Sequence, residues 1–330
     1  MTKRMRSNLM LLLTAFLWGS TFVAQKAGTA VGPLTYNGVR SVIGALVLLP
    51  VIVILRRRKE RAAGAFVTAE GGDAVEGGAA AEAVQRAAGD VSGVNISNRG
   101  KLLLGGVLCG LALFTASMLQ QTGISYTTAG KAGFITALYA VLVPVLSVLI
   151  GRKIRPLIWL CVAIGVAGLY LLCMEPGKWS LQSGDLMMLG CAVVFAVHIL
   201  IIDHFAPQVE PVEMACIQFA VVGVLGCIGM LIWEKPSPEL VLSNWLPIAY
   251  AGVLSSGVAY TLQMVALKHA DPTEASLIMC LEAVFSVLTG ALVLHESMTG
   301  RAAAGCLLIF AAVVLSQLPE RKRGSSPASL

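Results

Sequence analysis

Two charged residues stand inside apolar runs: Arg40, within TYNGVRSVIGALVLLP, and Glu282, within ASLIMCLEAVFSVLTG. A guanidinium attracts carboxylates and other anions. A carboxylate binds an ammonium group or carries a proton. Either charge at the centre of a bilayer costs about 2.5–3.5 kcal/mol on insertion scales, so something must offset it. The two charges pair with each other, or they flank one cavity, or each is accommodated alone. Alone, Arg40 would snorkel to the headgroups, and Glu282 would sit protonated against a neighbouring helix. Four more residues carry polar chemistry in apolar surroundings: His198, Trp18, Tyr139 and Tyr260. Each lines a solute path or packs between helices. Gln120, Gln121 and Gln263 stand near the ends of such runs and are weaker candidates.

The elements that must position these residues are apolar helices. Of 330 residues, 57% are hydrophobic and 13% charged, with a mean hydropathy of +0.81. Soluble domains carry about 25% charged residues, so the composition is that of a polytopic membrane protein. Ten apolar runs of near-bilayer length follow one another: Asn8–Val23, Pro33 to about Leu55, Leu102–Leu119, Ala132–Ile150, Leu157–Met174, Leu186–Ile202, Met214–Trp233, Leu246–Leu267, Ala275–Leu294 and Ala302–Leu318. A span needs about 20 residues at 1.5 Å rise. By that rise Arg40 lies roughly 9 Å inside the second span and Glu282 about 12 Å inside the ninth, both near mid-membrane.

Charge orients the chain. With both termini cytoplasmic, 18 of the 24 Lys and Arg residues fall on the inner side and four (Lys26, Lys178, Lys235, Arg301) on the outer. That asymmetry is the positive-inside signature, so the net charge of +6 is not a nucleic-acid footprint. The stretch Arg56–Arg61, RRRKER, marks a cytoplasmic stop. The Ala- and Gly-rich residues 62–98 that follow cannot build a core and read as a mobile cytoplasmic linker. The tail 319–330 is basic, then Ser-rich. The eight cysteines lie in apolar runs without CxxC spacing, which is the pattern of small buried hydrophobes. With no GxxxxGK[ST] phosphate loop and no metal-ligand spacing, no cofactor is expected.

The two halves of the chain resemble each other weakly. Trp18-Gly19 matches Phe195-Ala196, Pro33 matches Pro211 and Arg40 falls opposite Gln218, at offsets near 178. Ala132 matches Ala275 and Tyr139 matches Glu282, at an offset of 143. The offsets differ by about the length of the linker insertion. Five spans per half would make the second half inverted, with a binding site near the midplane between the halves. The expected repeats are 1–174 and 184–318.

Several stretches together resemble the EamA-type members of the ten-helix drug/metabolite transporter superfamily. They are LWGSTFVAQKA (Leu17–Ala27), Pro33 followed by Arg40, SMLQQTGISYTTAGKAGFITALYAVLVPVLS (Ser117–Ser147), GDLMMLGCAVVFAV, AYTLQMVALKHADPTEAS and LEAVFSVLTGALVLHESMTGRAAAGCLLI. The chain departs from the family pattern at Gly151-Arg152, where a carboxylate is common, at Glu282, where a proline is common, and in the insertion. The resemblance implies an all-α protein of ten spans in two inverted repeats in the cytoplasmic membrane. It also implies a secondary transporter, not an enzyme, often an exporter of amino acids or other small metabolites. Arg40, Glu282, Trp18, Tyr139, Tyr260 and His198 are its candidate solute-binding residues, and Glu282 is the only basis for proton coupling. The partners are then a small solute and the lipid bilayer. Gly165, Gly168 and Gly305 are compatible with close helix contacts within the chain or with a homodimer. A membrane-embedded lipid-group transferase or a sensory or structural membrane protein are the alternatives. The first lacks its usual DDxxD-type cluster here, and the second lacks a folded soluble domain.

The charge pattern places residues 60–98 inside. Cysteines introduced there are expected to resist an impermeant thiol reagent added to intact cells, and labelling from outside would overturn the orientation.

Overall fold

The computed structural model describes residues 2–70, 96–126, 129–173, 183–294 and 299–318. Most of the linker, the Pro176-Gly177 turn, the His295-Glu296 turn and the tail lie outside these residues. All regular structure among the described residues is helical. The helices are α1 (Lys3–Ala27), α2 (Pro33–Glu70), α3 (Ile96–Gly123), α4 (Ala129–Ala137), α5 (Tyr139–Leu149), α6 (Pro156–Cys173), α7 (Ser183–Phe205), α8 (Pro211–Gly229), α9 (Pro238–Ser243), α10 (Trp245–Tyr250), α11 (Tyr260–Leu267), α12 (Pro272–Met279), α13 (Leu281–Leu294) and α14 (Gly300–Ser316). Two π-helical stretches extend this set: Met230–Glu234 continues α8, and Ala251–Ala259 joins α10 to α11.

Local chemistry sets the starts. Proline occupies the first position of α2, α6, α8, α9 and α12, where its missing N–H leaves no intrahelical bond unmade. The Asp271 side chain caps α12 by accepting from the amides of Thr273 and Glu274 at 2.8 and 3.2 Å. Thr299 caps α14 in the same way, accepting from Ala302 N at 3.2 Å.

Seven helical stretches are long and apolar enough to cross a membrane, and three shorter apolar ones cover Gly133–Leu149, Pro156–Leu172 and Gly300–Ser316. The protein is therefore a multi-pass membrane protein. Its outward-facing surface carries large apolar side chains such as Leu9, Phe16, Leu46, Leu103, Leu292 and Phe310.

Three of the expected runs differ in kind from the helices they form. The second apolar run does not stop at Leu55, because α2 continues to Glu70. Arg, Lys, Glu and Ala are good helix formers, so RRRKER ends a hydrophobic stretch without ending the helix. The fourth and ninth runs are each broken once, at Leu138 and at Cys280.

Close pairings organise the bundle: α2 with α8, α6 with α14, α3 with α7 and α8, α1 with α13 and α11, α4 and α5 with α7, and α2 with the π stretch Ala251–Ala259. The α2–α8 and α6–α14 pairs both cross on glycine. A Cβ on Gly226 would stand 2.5 Å from Gly38 Cα, and one on Gly305 would stand 2.6 Å from the Gly168 carbonyl oxygen. The sequence expectation of close contact at Gly168 and Gly305 is thus met within the chain, whereas Gly165 has only Ala312 Cβ near its own, at 3.9 Å. Polar contacts hold the α2–α8 pair at both ends. At one end the Glu234 carboxylate accepts from Leu34 N (2.8 Å), Thr35 N (2.7 Å) and the Thr35 hydroxyl (2.6 Å), satisfying free amides at the start of α2. At the other, Arg56 Nε donates to Glu213 in the first turn of α8 at 2.8 Å.

The glycine crossings are backbone against backbone, so no rotamer change can relieve an added methyl. Gly226→Ala and Gly305→Ala are each expected to destabilise by about 1–3 kcal/mol. Thermal melting in detergent should show both below the wild type. Gly190→Ala, whose nearest neighbour would be Leu119 Cδ1 at 3.5 Å, should melt at or above it.

Candidate functional site

The two helix breaks place the central residues. At Leu138 the chain leaves α4, and Tyr139 opens α5. At Cys280 it leaves α12, and Glu282 stands in the first turn of α13. The breaks touch each other: the Cys280 thiol donates to the Ala137 carbonyl oxygen at 3.6 Å. Tyr139 and Glu282 are both buried beside them. Tyr139 and Glu282 are also the residues that match at the 143-residue offset.

They line a small cavity of about 40 Å³. Its walls come from α1 (Trp18, Thr21, Phe22, Gln25), α2 (Arg40), α3 (Gln120), α4 and α5 (Thr136, Tyr139), α7 (Phe195, Ile199), the π stretch and α11 (Ser255, Tyr260, Gln263) and α13 (Glu282). Aromatic rings form one side. Trp18 and Tyr260 lie with centroids 4.7 Å apart, and Phe219 meets Tyr260 edge-on at 5.4 Å.

Five of the six expected site residues therefore share one space: Trp18, Arg40, Tyr139, Tyr260 and Glu282. His198 stands behind them. It is fully buried, its Nε2 is 2.7 Å from Gln218 Oε1, and its ring is 6.1 Å from that of Tyr260. Arg40 and Glu282 flank the cavity without forming an ion pair with each other. Arg40 is 5% exposed, too little for snorkelling. Its Nη2 donates to the Ser117 hydroxyl at 3.4 Å, its guanidinium sits 5.6 Å from the Tyr36 ring centroid, and its Nε has no protein partner. Three more buried polar atoms of the lining lack a protein partner: Trp18 Nε1, Gln25 Oε1 and Gln263 Oε1. Such atoms, left unmatched, cost about 1–3 kcal/mol each.

Thr21, Gln25, Thr136 and Ser255 were not among the sequence candidates. A signal existed for two of them: Trp18, Thr21, Phe22 and Gln25 follow the i, i+3, i+4, i+7 pattern of one helix face. Gln120 and Gln263, weak candidates by sequence, both reach the lining, while Gln121 is buried elsewhere.

On α1 the lining runs from Trp18 to Gln25, close to where the helix finishes. The opposite end of the bundle carries a polar network. There Glu274, at the start of α12, accepts from Arg4 Nη2 at 3.0 Å and from Arg155 Nη2. Arg155 also donates to the carbonyls of Ser316 and Leu318, both at 3.2 Å, and Asn8 donates to Gln317 at 2.6 Å. Arg4 and Gln25 are roughly 30 Å apart along α1, the thickness of a bilayer core.

The sequence profile of the EamA-like transporter family matches residues 5–69, 87–174 and 182–318. An uncharacterized transporter of Archaeoglobus fulgidus is 27% identical over 320 residues, covering 96% of this chain and 87% of its own length. An uncharacterized transporter of Synechocystis is 25% identical over 206 residues, covering 56% of this chain and 61% of its own. One solved crystal structure superposes with a TM-score of 0.68 at 19% identity, covering 94% of this chain and 96% of that one, which shows a shared fold.

Proposed function

The chain belongs to the EamA-like transporter family, and on that premise we propose that it is a secondary transporter of small solutes bearing a carboxylate, amino acids foremost, in the cytoplasmic membrane. The observation that carries this reading is Arg40: a buried guanidinium facing the cavity, with no carboxylate paired to it among the described residues. A buried cation needs an anionic partner or water, and a solute carboxylate supplies one. Glu282, across the same space, is the complementary group for an ammonium, or it carries a coupled proton. Trp18 and Tyr260 bound the solute's apolar part, and Gln120 and Gln263 offer amides to its polar edges.

The same reading takes the ten apolar stretches as ten spans in two inverted repeats with both termini cytoplasmic. The helix pairings support it. Exchange α1 with α7, α2 with α8, α3 with the α10–α11 span, α4–α5 with α12–α13, and α6 with α14. The set of pairings then maps onto itself. The α2–α8 and α6–α14 pairs map onto themselves, and both cross on glycine. The end contacts exchange as well: at the 178 offset Thr35 corresponds to Glu213 and Arg56 to Glu234, so the two contacts holding α2 to α8 are mates. A symmetric frame with a midplane cavity is the architecture of alternating access.

Two measurements test the assignment. Purified protein is screened by thermal shift against a panel of amino acids, small carboxylates and small amines. Any panel member that raises the melting temperature is then followed in vesicles without nucleotide. Arg40→Ala and Glu282→Gln are expected to melt near the wild type, since neither holds the other, and to lose the ligand-induced shift and at least about tenfold in transport. Undiminished transport in both variants would remove this site from the protein.

A further inference from the structure

We infer that His198 and Gln218 are the polar lining of the solute cavity when it opens toward the end that carries Arg4, Arg155 and Glu274, replacing Thr21 and Arg40. The inference rests on the alternating-access reading. It begins from how the lining divides under the repeat. Trp18 and Phe195, Phe22 and Ile199, Gln120 and Gln263, and Tyr139 and Glu282 are mates at the offsets of their spans, and both members of each pair line the cavity. Those pairs form a shared middle that either state can use. Thr21, Gln25, Arg40, Thr136, Ser255 and Tyr260 line the cavity without their mates. The mates of Thr21 and Arg40, 177 and 178 positions on, are His198 and Gln218, which are fully buried and outside it. Inverted repeats change state by exchanging conformations, so each mate acquires the surroundings of the other.

Chemistry separates this pair from ordinary packing. His198 Nε2 and Gln218 Oε1 are joined at 2.7 Å, yet His198 Nδ1 and Gln218 Nε2 have no protein partner. With Nε2–H donating to Gln218, the pair presents one neutral acceptor and one amide donor side by side. That set suits an ammonium and a carboxylate oxygen of the same solute that Arg40 holds in the present state. What separates the pair from the cavity is the ring of Tyr260, which faces the cavity and lies 6.1 Å from His198. The Arg4–Glu274–Arg155 contact, whose Arg4 side chain is 47% exposed, stands at the end of the bundle opposite the finish of α1. The solute carboxylate therefore passes from a permanent cation to an uncharged amide as the cavity changes face.

Thiol accessibility tests this without a known solute. Thr21→Cys and Gln218→Cys are placed singly in a background lacking the native cysteines, with Ile202→Cys, the buried mate of Gln25, as a second inner-layer position in case Gln218→Cys inserts poorly. A charged maleimide is applied to right-side-out and inside-out vesicles, with and without Glu274→Gln to loosen the Arg4–Glu274–Arg155 contact. Glu274→Gln is expected to raise labelling of Gln218→Cys and Ile202→Cys from the inner face by about tenfold and to slow labelling of Thr21→Cys from the outer face to a similar degree. Protection of Thr21→Cys with no inner labelling at either position would sink the assignment of His198 and Gln218 while leaving alternation intact. No change at any position would remove alternation and the inference together.

Discussion

Hydrocarbon offers no partner to a free peptide group, so irregular backbone at membrane depth survives only where protein or a cavity surrounds it. The structure breaks two helices in its interior, at Leu138 and Cys280, and sets the breaks against each other through the Cys280–Ala137 contact. Other features follow from that placement. The breaks bring Tyr139 and Glu282 to the same level and put their helix starts beside one space. They also require tightly packed neighbours on every side, which α1, α7 and α11 provide. A carboxylate that would be costly in lipid thereby stands in a pocket of polar and aromatic side chains.

On the inverted-repeat reading, the two halves correspond by position rather than by chemistry. Arg56 meets Glu213 as an ion pair, and its mate Glu234 meets Thr35 and two backbone amides. One contact is charge against charge; the other is a carboxylate capping a helix start, where the macrodipole favours it. Both hold α2 to α8. Gly123 and Gly184 likewise bring α3 and α7 into backbone contact, since a Cβ on Gly184 would stand 2.8 Å from the Gly123 carbonyl oxygen. Small residues and end contacts do in lipid what apolar burial does in water, because apolar side chains gain little by leaving lipid for one another.

Much of this was legible in the chain. Apolar run lengths predicted where helices lie, and two isolated charges pointed to the cavity. The breaks were not legible. Neither Leu138 nor Cys280 is a glycine or proline, and both keep φ and ψ in the right-handed helical region. A break of that kind comes from tertiary packing, which no local residue announces. The length of α2 was hidden for the opposite reason: charge ends a hydrophobic run and leaves helix propensity untouched. Gln25 could have been found from its helical spacing to Trp18. His198 looked like a site residue because a lone imidazole in an apolar run is conspicuous; its bond to Gln218, twenty positions on, depends on how α7 meets α8.

The two glycine crossings have a mechanical meaning. Gly38 against Gly226 and Gly168 against Gly305 are points where backbones touch with no side chain between them. A motion that keeps both contacts is confined to a turn about the line through them, as a door turns on two pins. On the alternating-access reading, displacement would then be largest at the rims of the bundle and smallest along that line.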